Sequence, residues 1–260
     1  MGMVMYTTKL GAGLGAIPET LTLLDIWRPG MKTTELEAVA LESGAFPNVT
    51  ARRLHNLVVE CFSSRYLVSG DYPAFILKEL KGRIPDDTLA QILLIFTTRA
   101  NNVLYDFIRE VYWGRYSSGY EIISNDDVSD FVIRANQEGK TTNPWADSMV
   151  KRVSSYLPGA CADFGMLEKG RLRKRKILPF RIAPLTTAFL AYDLHFSGLG
   201  DNQVLSHPDW ELFGLARPDV KEEIKQLSLR NLLIIQAAGD VVDIGWQFND
   251  WKEFVDGLIK

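Results

Sequence analysis

Residues 88–113 place apolar side chains at spacings of three and four along one continuous stretch. This spacing is typical of an amphipathic helix, and here it is kept for about seven turns. The pattern predicts a central core helix around which the rest of the chain must pack, so that a mainly helical fold is expected. The apolar positions are Leu89, Ile92, Leu93, Phe96, Val103, Leu104, Phe107, Ile108, Val111 and Tyr112.

Further segments complete a mainly α fold, which we predict to be a multi-helix bundle with helix-turn-helix or winged-helix-like elements and two small β-hairpins. Two apolar runs flank Ala238-Gly239-Asp240 and are typical of a hairpin over 232–248. A less cohesive stretch, 114–124, suggests a division into an N-terminal helical domain (1–120) and a C-terminal winged-helix-like domain (121–260). Other helices are predicted at Pro18–Trp27, Pro184–Phe196, His207–Phe213, Pro218–Leu229 and Asp250–Lys260.

A first helix-turn-helix-like pair is predicted in the N-terminal domain. Thr34 and Glu37 fit a capping box, and Gly44 suits the left-handed end of the helix that follows. Asn48 or Thr50 then begins a second helix, which carries Arg52 and Arg53 as candidate DNA contacts.

A second pair is predicted in the C-terminal domain. Ser124 or Asn125 caps a helix that Gly139 ends, and Asn143-Pro144 marks the start of the next helix. That helix exposes Lys151 and Arg152, which would face DNA in a major groove. Pro158 lacks a backbone donor, so the helix is expected either to end near Leu157 or to be kinked.

A basic segment follows this pair, which gives the order helix, turn, helix, hairpin. Residues 169–181 carry seven positive charges on a chain whose net charge is −3, so the remainder stands at −10. This concentration favours an anionic partner, most often nucleic acid; an acidic protein and a charge-protected edge strand are the alternatives. The candidate contacts are Lys169, Arg171, Arg173, Lys174, Arg175, Lys176 and Arg181.

The sequence predicts neither catalysis nor a cofactor. The spacing of Gly11, Gly13 and Gly15 differs from a dinucleotide-binding motif and is interpreted as a flexible approach to a helix. Cys61 and Cys161 are expected to be buried apolar groups in a reducing compartment. No secretory signal and no apolar run of membrane-spanning length is visible, which predicts a cytoplasmic protein with no membrane partner. Isolated histidines and capping carboxylates offer no metal site: His55, His195, His207, Asp126, Asp127 and Asp130.

The order of several short segments resembles the BrxA family of the BREX phage-exclusion systems of bacteria. The resemblance spans nearly the whole chain, although no single motif in it is specific. The matching segments are Tyr6-Thr7 with the glycine-rich segment, Thr50-Ala51-Arg52-Arg53-Leu54, Phe107-Ile108-Arg109-Glu110, Trp145-Ala146-Asp147-Ser148, Gly165-Met166-Leu167 and Arg175-Lys176-Ile177 with the helix that follows.

The resemblance implies a cytoplasmic, mostly helical, non-enzymatic protein that binds double-stranded DNA and works beside the methyltransferase and ATPase of a BREX system. It keeps RNA as an alternative ligand, because the family has been likened to the antitermination factor NusB. A scaffold that docks on other BREX components is a further alternative. The acidic pI of about 5.7 departs from an all-over basic surface, and this sequence gives no support to the inner-membrane label that some family members have carried.

Overall fold

The computed structural model describes residues 5–68, 70–170, 172–238 and 241–258. Arg171, the Gly239-Asp240 turn and the last two residues of the predicted C-terminal helix lie outside this part. The chain forms two compact units, one of Met1–Lys78 with Leu93–Phe180 and one of Glu79–Ile92 with Arg181–Lys260. The predicted boundary at residue 120 does not coincide with these units and lies inside the first, because residues 122–124 pair with 174–176 in the same unit.

The N-terminal part of the first unit is helical, and its caps test two predictions. Thr50 accepts a hydrogen bond from the Arg53 amide (3.2 Å) and begins its helix as predicted. The Thr34 capping box is wrong, because Lys32 is the residue before the helix and the Thr33 hydroxyl donates to Ser63 instead. The elements are a 3-10 turn (Lys9–Ala12), α1 (Ile17–Ile26), α2 (Thr33–Glu42), α3 (Ala51–His55), a π-helical segment (Asn56–Ser63), α4 (Ser64–Tyr66) and α5 (Tyr72–Leu80).

The predicted central helix is broken, although its apolar positions are buried as expected. Asn101 leaves the helical region, with φ −139° and ψ 82°, and its side-chain amide donates to the Thr97 carbonyl (2.8 Å). An asparagine whose side chain bonds the backbone in this way competes with helix formation. The apolar periodicity of the stretch does not register this competition, so the break was not predicted. The stretch consists of α6 (Asp86–Ala100), α7 (Asn102–Phe107), a π-helical segment (Ile108–Tyr112) and α8 (Trp113–Ser117).

Two helices and two short strands follow in the first unit. Ser124 and Asp127 form a reciprocal capping box at the start of the first helix, as the sequence indicated. The second helix begins at Asp147 rather than at Asn143-Pro144, and it continues through Pro158 instead of ending near Leu157. The elements are β1 (Ile122–Ser124), α9 (Asn125–Gln137), α10 (Asp147–Asp163) and β2 (Lys174–Lys176).

Strand β2 pairs with β1 along one side and, at Lys176, has a backbone partner on the other side as well. It pairs antiparallel with β1 in the register Ile122↔Lys176 and Ser124↔Lys174. On its other side the chain turns back on itself, because the Glu168 amide donates to the Lys176 carbonyl (2.9 Å) and Leu167 pairs with Ile177. The local turn-back agrees with the predicted hairpin, whereas its pairing with the remote β1 was not predicted.

The second unit packs helices and a hairpin around Tyr192. The ring centroid of Tyr192 lies 5.0 Å from those of Trp246 and Phe254, and its hydroxyl donates to the Leu232 carbonyl (2.6 Å). The predicted hairpin is confirmed by the register from Leu233↔Trp246 to Ala238↔Val241. The elements are α11 (Pro184–Phe196), α12 (Asp201–Leu205), a 3-10 turn (Pro208–Phe213), α13 (Arg217–Ser228), β3 (Leu233–Ala238), β4 (Val241–Trp246) and α14 (Trp251–Leu258).

Candidate nucleic-acid interface

The basic loop, which we define as residues 169–176, presents most of its charge to solvent. Lys169, Arg173, Lys174 and Lys176 are exposed, and Arg175 is half-buried. Successive residues of a strand point to opposite faces, so Lys174 and Lys176 share one face and Arg175 lies on the other. Within the described part of the chain, Arg173, Lys174 and Lys176 form no ion pair.

Hydrogen bonds fix the loop against the start of α9. The Asn125 amide donates to the Arg173 carbonyl (2.9 Å), next to the β1–β2 pairing. The Arg175 guanidinium donates through Nη1 to the Glu168 carbonyl (2.8 Å), which closes the turn. Its Nε is buried without a hydrogen-bond partner among the described residues. These bonds fix the backbone at Arg173 and the side chain of Arg175, so the described cations of the strand extend from an anchored segment.

Helix α10 adds two cations beside the loop. Lys151 and Arg152 are exposed, as predicted, and the Arg152 Nε donates to the Tyr156 hydroxyl (3.1 Å). Arg181 is exposed as well, but it belongs to the second unit, where its carbonyl accepts a hydrogen bond from Gln91 (2.8 Å). The structure brings Lys151, Arg173 and Arg175 together at one cleft, which the sequence analysis did not predict.

The three cations line one cleft of about 670 Å³ between α9, α10 and the basic loop. Among the described residues that line it, none is a carboxylate. Sequence reasoning did not find the remaining lining residues, which supply hydroxyls, an amide and apolar surface. They are Leu14, Asn125, Ser129, Ser154, Ser155, Tyr156, Pro158, Gly159 and Leu172.

The N-terminal arginines are arranged differently. Arg52 is exposed, but Arg53 is half-buried and donates through Nη1 to the Ala12 carbonyl. Arg65 is only 5% exposed and donates to the Leu14 carbonyl (2.7 Å) and the Gly15 carbonyl (3.3 Å). Arg53 and Arg65 thus bind the glycine-rich segment of the protein itself.

The glycine-rich segment is close-packed, which corrects the expectation of a flexible approach. A Cβ at Gly11 would lie 2.5 Å from the Tyr156 ring, and one at Gly15 would lie 2.5 Å from the Asp163 Cβ. A Cβ at Gly13 would lie 2.6 Å from the Cys61 Sγ. Each glycine is therefore required because another side chain occupies the space of its Cβ.

Three ionisable groups near the glycine-rich segment and in α10 have raised pKa values. Burial raises the pKa of the Cys61 and Cys161 thiols, and both cysteines are buried and unpaired as expected. Asp163 is exposed, but partial desolvation of its carboxyl group raises the pKa, against the opposing effect of the Gly15 amide, which donates to it (3.0 Å). In the part of the chain that the structure describes, no group of three or more His, Cys, Asp or Glu side chains is placed to hold a metal. Likewise, none of the described helices has the length and apolar character needed to span a bilayer.

Comparisons with known proteins agree with this architecture. The chain is similar to a crystal structure of an uncharacterised protein from Magnetospirillum magneticum, with a TM-score of 0.57 and 14% sequence identity, over 74% of this chain and 94% of that one. At this identity the likeness concerns the fold alone. No curated protein matches the sequence. The family model of BrxA matches residues 5–193, which include the basic loop, α10 and the glycine-rich segment. The chain therefore belongs to the BrxA family, and thereby to the components of BREX anti-phage defence systems.

Proposed function

We propose that this protein is a non-enzymatic DNA-binding component of a BREX system, and that the basic loop and α10 form its nucleic-acid surface. The observation that carries the proposal is the basic loop itself. It holds exposed cations that form no ion pair with the described residues, on a chain that is acidic elsewhere. Cations held in this way are available to phosphates, and each phosphate that they neutralise releases counterions from the nucleic acid.

The position of β2 argues against the main competing explanation. Lysines on a strand often protect an open sheet edge from pairing with another chain. Strand β2 pairs with β1 on one side and, at Lys176, accepts a hydrogen bond from the Glu168 amide on the other, so one end of its second edge is already covered. Protection of the remaining edge needs only one or two lysines, and the basic loop carries more cations than that.

Helix α10 is the element that we propose to lie along the duplex. Its exposed Lys151 lines a cleft with Arg173 and Arg175, and the neighbouring Arg152 is exposed as well; helix and basic loop follow one another in the order expected of a winged helix. The connection from α9 to α10 covers residues 138–146, whereas a helix-turn-helix joins its helices by about three to four residues. We therefore assign α10 a role in positioning the protein on phosphates, and no base-reading residue. In the N-terminal pair, we propose only the exposed Arg52 as an auxiliary DNA contact, since Arg53 donates a hydrogen bond to the Ala12 carbonyl.

Fluorescence anisotropy on a labelled random duplex between about 50 and 200 mM salt tests the proposal. With about six cations engaged, log K is expected to fall against log[salt] with a slope near −5. Replacing Arg173, Lys174, Arg175 and Lys176 by Ala is expected to flatten the slope by up to about 4. The matched control replaces four exposed cations elsewhere, Arg28, Lys32, Arg230 and Lys252, by Ala, and leaves the same net charge.

Equal slopes in the two variants would contradict a role for the basic loop. If folded wild-type protein binds no duplex, the alternative is a scaffold whose basic loop docks on an acidic BREX partner, and pull-down of the methyltransferase or ATPase should then depend on the same four residues. Competition between duplex DNA and structured RNA tests the alternative that the ligand is RNA. A protein that places a helix in the major groove should prefer DNA, because the deep, narrow major groove of A-form RNA does not admit side chains.

A further inference from the structure

We infer that the cleft between α9, α10 and the basic loop binds a single nucleoside 5′-phosphate, with the phosphate on its cations and the nucleoside against its apolar wall. The inference builds on the proposed nucleic-acid surface, because the two share Lys151, Arg173 and Arg175. It adds a defined pocket for one nucleotide to a surface that otherwise tracks phosphate rows.

The charge of the cleft selects an anion. Lys151, Arg173 and Arg175 enter it from two different elements, and no carboxylate among the described lining residues offsets them. The planar guanidinium groups suit phosphate oxygens, which they bind through parallel N–H donors. The Asn125 amide and the hydroxyls of Ser129 and Ser155 add neutral polar groups for the same anion or for a sugar.

Two buried polar atoms in the lining have no partner within the described chain. Ser154 is 9% exposed, and its Oγ makes no hydrogen bond; the Arg175 Nε is in the same state. Buried polar groups are nearly always bonded, so two unbonded side-chain atoms in the lining of one cleft point to a ligand.

The remaining lining is apolar and rigidly held, which suits a nucleoside. Tyr156 is fixed between Gly11, which has no Cβ to displace it, and Arg152, which donates to its hydroxyl. Leu14 rests against Gly159, where a Cβ would lie 3.2 Å from its methyl group. The volume of about 670 Å³ lies within the range of small-ligand pockets, roughly 300–1,000 Å³.

A free mononucleotide and the 5′-phosphorylated end of a strand share this chemistry, and calorimetric titration separates them. The probes are AMP, adenosine, inorganic phosphate, and a short single strand with and without a 5′-phosphate. AMP is expected to bind at least about tenfold more tightly than phosphate or adenosine, since only AMP uses both walls. Tighter binding of the phosphorylated strand than of AMP identifies a strand end as the source, and the reverse identifies a free nucleotide.

Three variants test the cleft separately from duplex binding, through the affinity for AMP. Ser155→Trp fills the cleft without changing any charge and is expected to weaken AMP binding at least tenfold, whereas Ser148→Trp, on the same helix outside the cleft, is expected to leave it unchanged. Ser154→Ala removes an unbonded hydroxyl, so it should leave thermal stability unchanged or higher while weakening AMP binding about fivefold.

The outcomes also separate this inference from the proposed function. Phosphate that binds as tightly as AMP, or AMP binding that survives Ser155→Trp, overturns the nucleotide pocket. Duplex binding by the wild type without AMP or strand-end binding overturns the pocket and leaves the proposed function in place. AMP binding that Ser155→Trp abolishes, in a protein that binds no duplex, supports the pocket and removes the proposed function.

Discussion

Two groups of cations lie in the first unit, and they are used in opposite ways. Arg53 and Arg65 direct their guanidinium groups at backbone carbonyls of the glycine-rich segment. The basic loop keeps Arg173, Lys174 and Lys176 at the surface, where they form no ion pair with the described residues. In the sequence, Arg53 forms a pair with Arg52 and the basic loop is a run of positive residues, so both were predicted as nucleic-acid contacts, whereas Arg65 was not.

The difference lies in what surrounds each group along the fold. The glycine-rich segment approaches other elements so closely that the carbonyls of Ala12, Leu14 and Gly15 are bonded by side chains from elsewhere in the unit. The two arginines supply those bonds. Backbone bonds of the basic loop are made with β1, Asn125 and Glu168, and the exposed side chains of Arg173, Lys174 and Lys176 remain for an external partner.

The largest expected effect is at the buried arginine. Arg65→Met removes the donors of the Leu14 and Gly15 carbonyls, and hydrogen bonds to a charged group contribute about 1.5–3 kcal/mol each, so we expect a loss of roughly 3 kcal/mol in unfolding free energy. Urea denaturation measures it. Arg52→Met, at an exposed arginine in the same region, is the control and should change stability by less than about 0.5 kcal/mol. Similar losses in both variants would contradict the distinction between bonded and exposed arginines.

A second test concerns the glycine-rich segment. Gly11→Ala brings a Cβ to within 2.5 Å of the Tyr156 ring, and overpacking of this kind costs about 1–3 kcal/mol. Gly114→Ala, in α8 with no atom within 4 Å of the added Cβ, should instead be stabilising by about 0.5 kcal/mol. Thermal unfolding of the two variants gives opposite signs if the segment is close-packed. A neutral Gly11→Ala variant would support the flexible approach that the sequence suggested.

The sequence predicted the secondary structure of this chain more reliably than its tertiary contacts. The helices at Pro18–Trp27, Pro184–Phe196 and Pro218–Leu229 and the hairpin over 232–248 were confirmed, since each depends on local periodicity and turn residues. The break at Asn101 was missed, because it depends on a side chain that bonds the backbone.

The candidate site shows the same limit more sharply. The basic loop was found because charge density is visible in one dimension. The cleft was not found, since it joins Leu14, the start of α9, the middle of α10 and the basic loop, which are separated by more than a hundred residues along the chain. Only the alternate spacing of three glycines signalled that the N-terminal segment approaches other side chains, and that spacing was interpreted as flexibility.

The most direct test of the comparison measures both stability and the salt dependence of duplex binding in two single arginine variants. Arg53→Ala should cost about 1.5 kcal/mol of stability, the value of one charge-assisted hydrogen bond, and should leave the salt dependence of duplex binding unchanged. Arg173→Ala should reduce the slope of log K against log[salt] by about 0.9 and change stability by less than about 0.5 kcal/mol. Denaturation and anisotropy on both proteins check this. A salt slope that Arg53→Ala also reduces would return the N-terminal pair to the nucleic-acid surface.

The smallest expected effect is at Asp163. This carboxylate contacts both the glycine-rich segment, which Arg53 and Arg65 bind, and cations of the basic loop. The carboxylate accepts a hydrogen bond from the Gly15 amide (3.0 Å) and attracts Lys169 and Arg175, yet partial desolvation raises its pKa above the ordinary 3.8. Because the residue is exposed, solvent screens these interactions and the expected effect is small. As pH rises from 3.8 through the raised pKa, the unfolded state loses its proton first, so the native state is destabilised in this window and the penalty remains at pH 7.

Asp163→Asn keeps an acceptor for the Gly15 amide, and the variant should therefore melt above the wild type by a margin that grows from pH 4 to pH 7. A variant that melts below the wild type at pH 7 would show that attraction by Lys169 and Arg175 outweighs burial. Those two cations would then serve the protein itself, and the contrast with the N-terminal arginines would narrow to Arg173, Lys174 and Lys176.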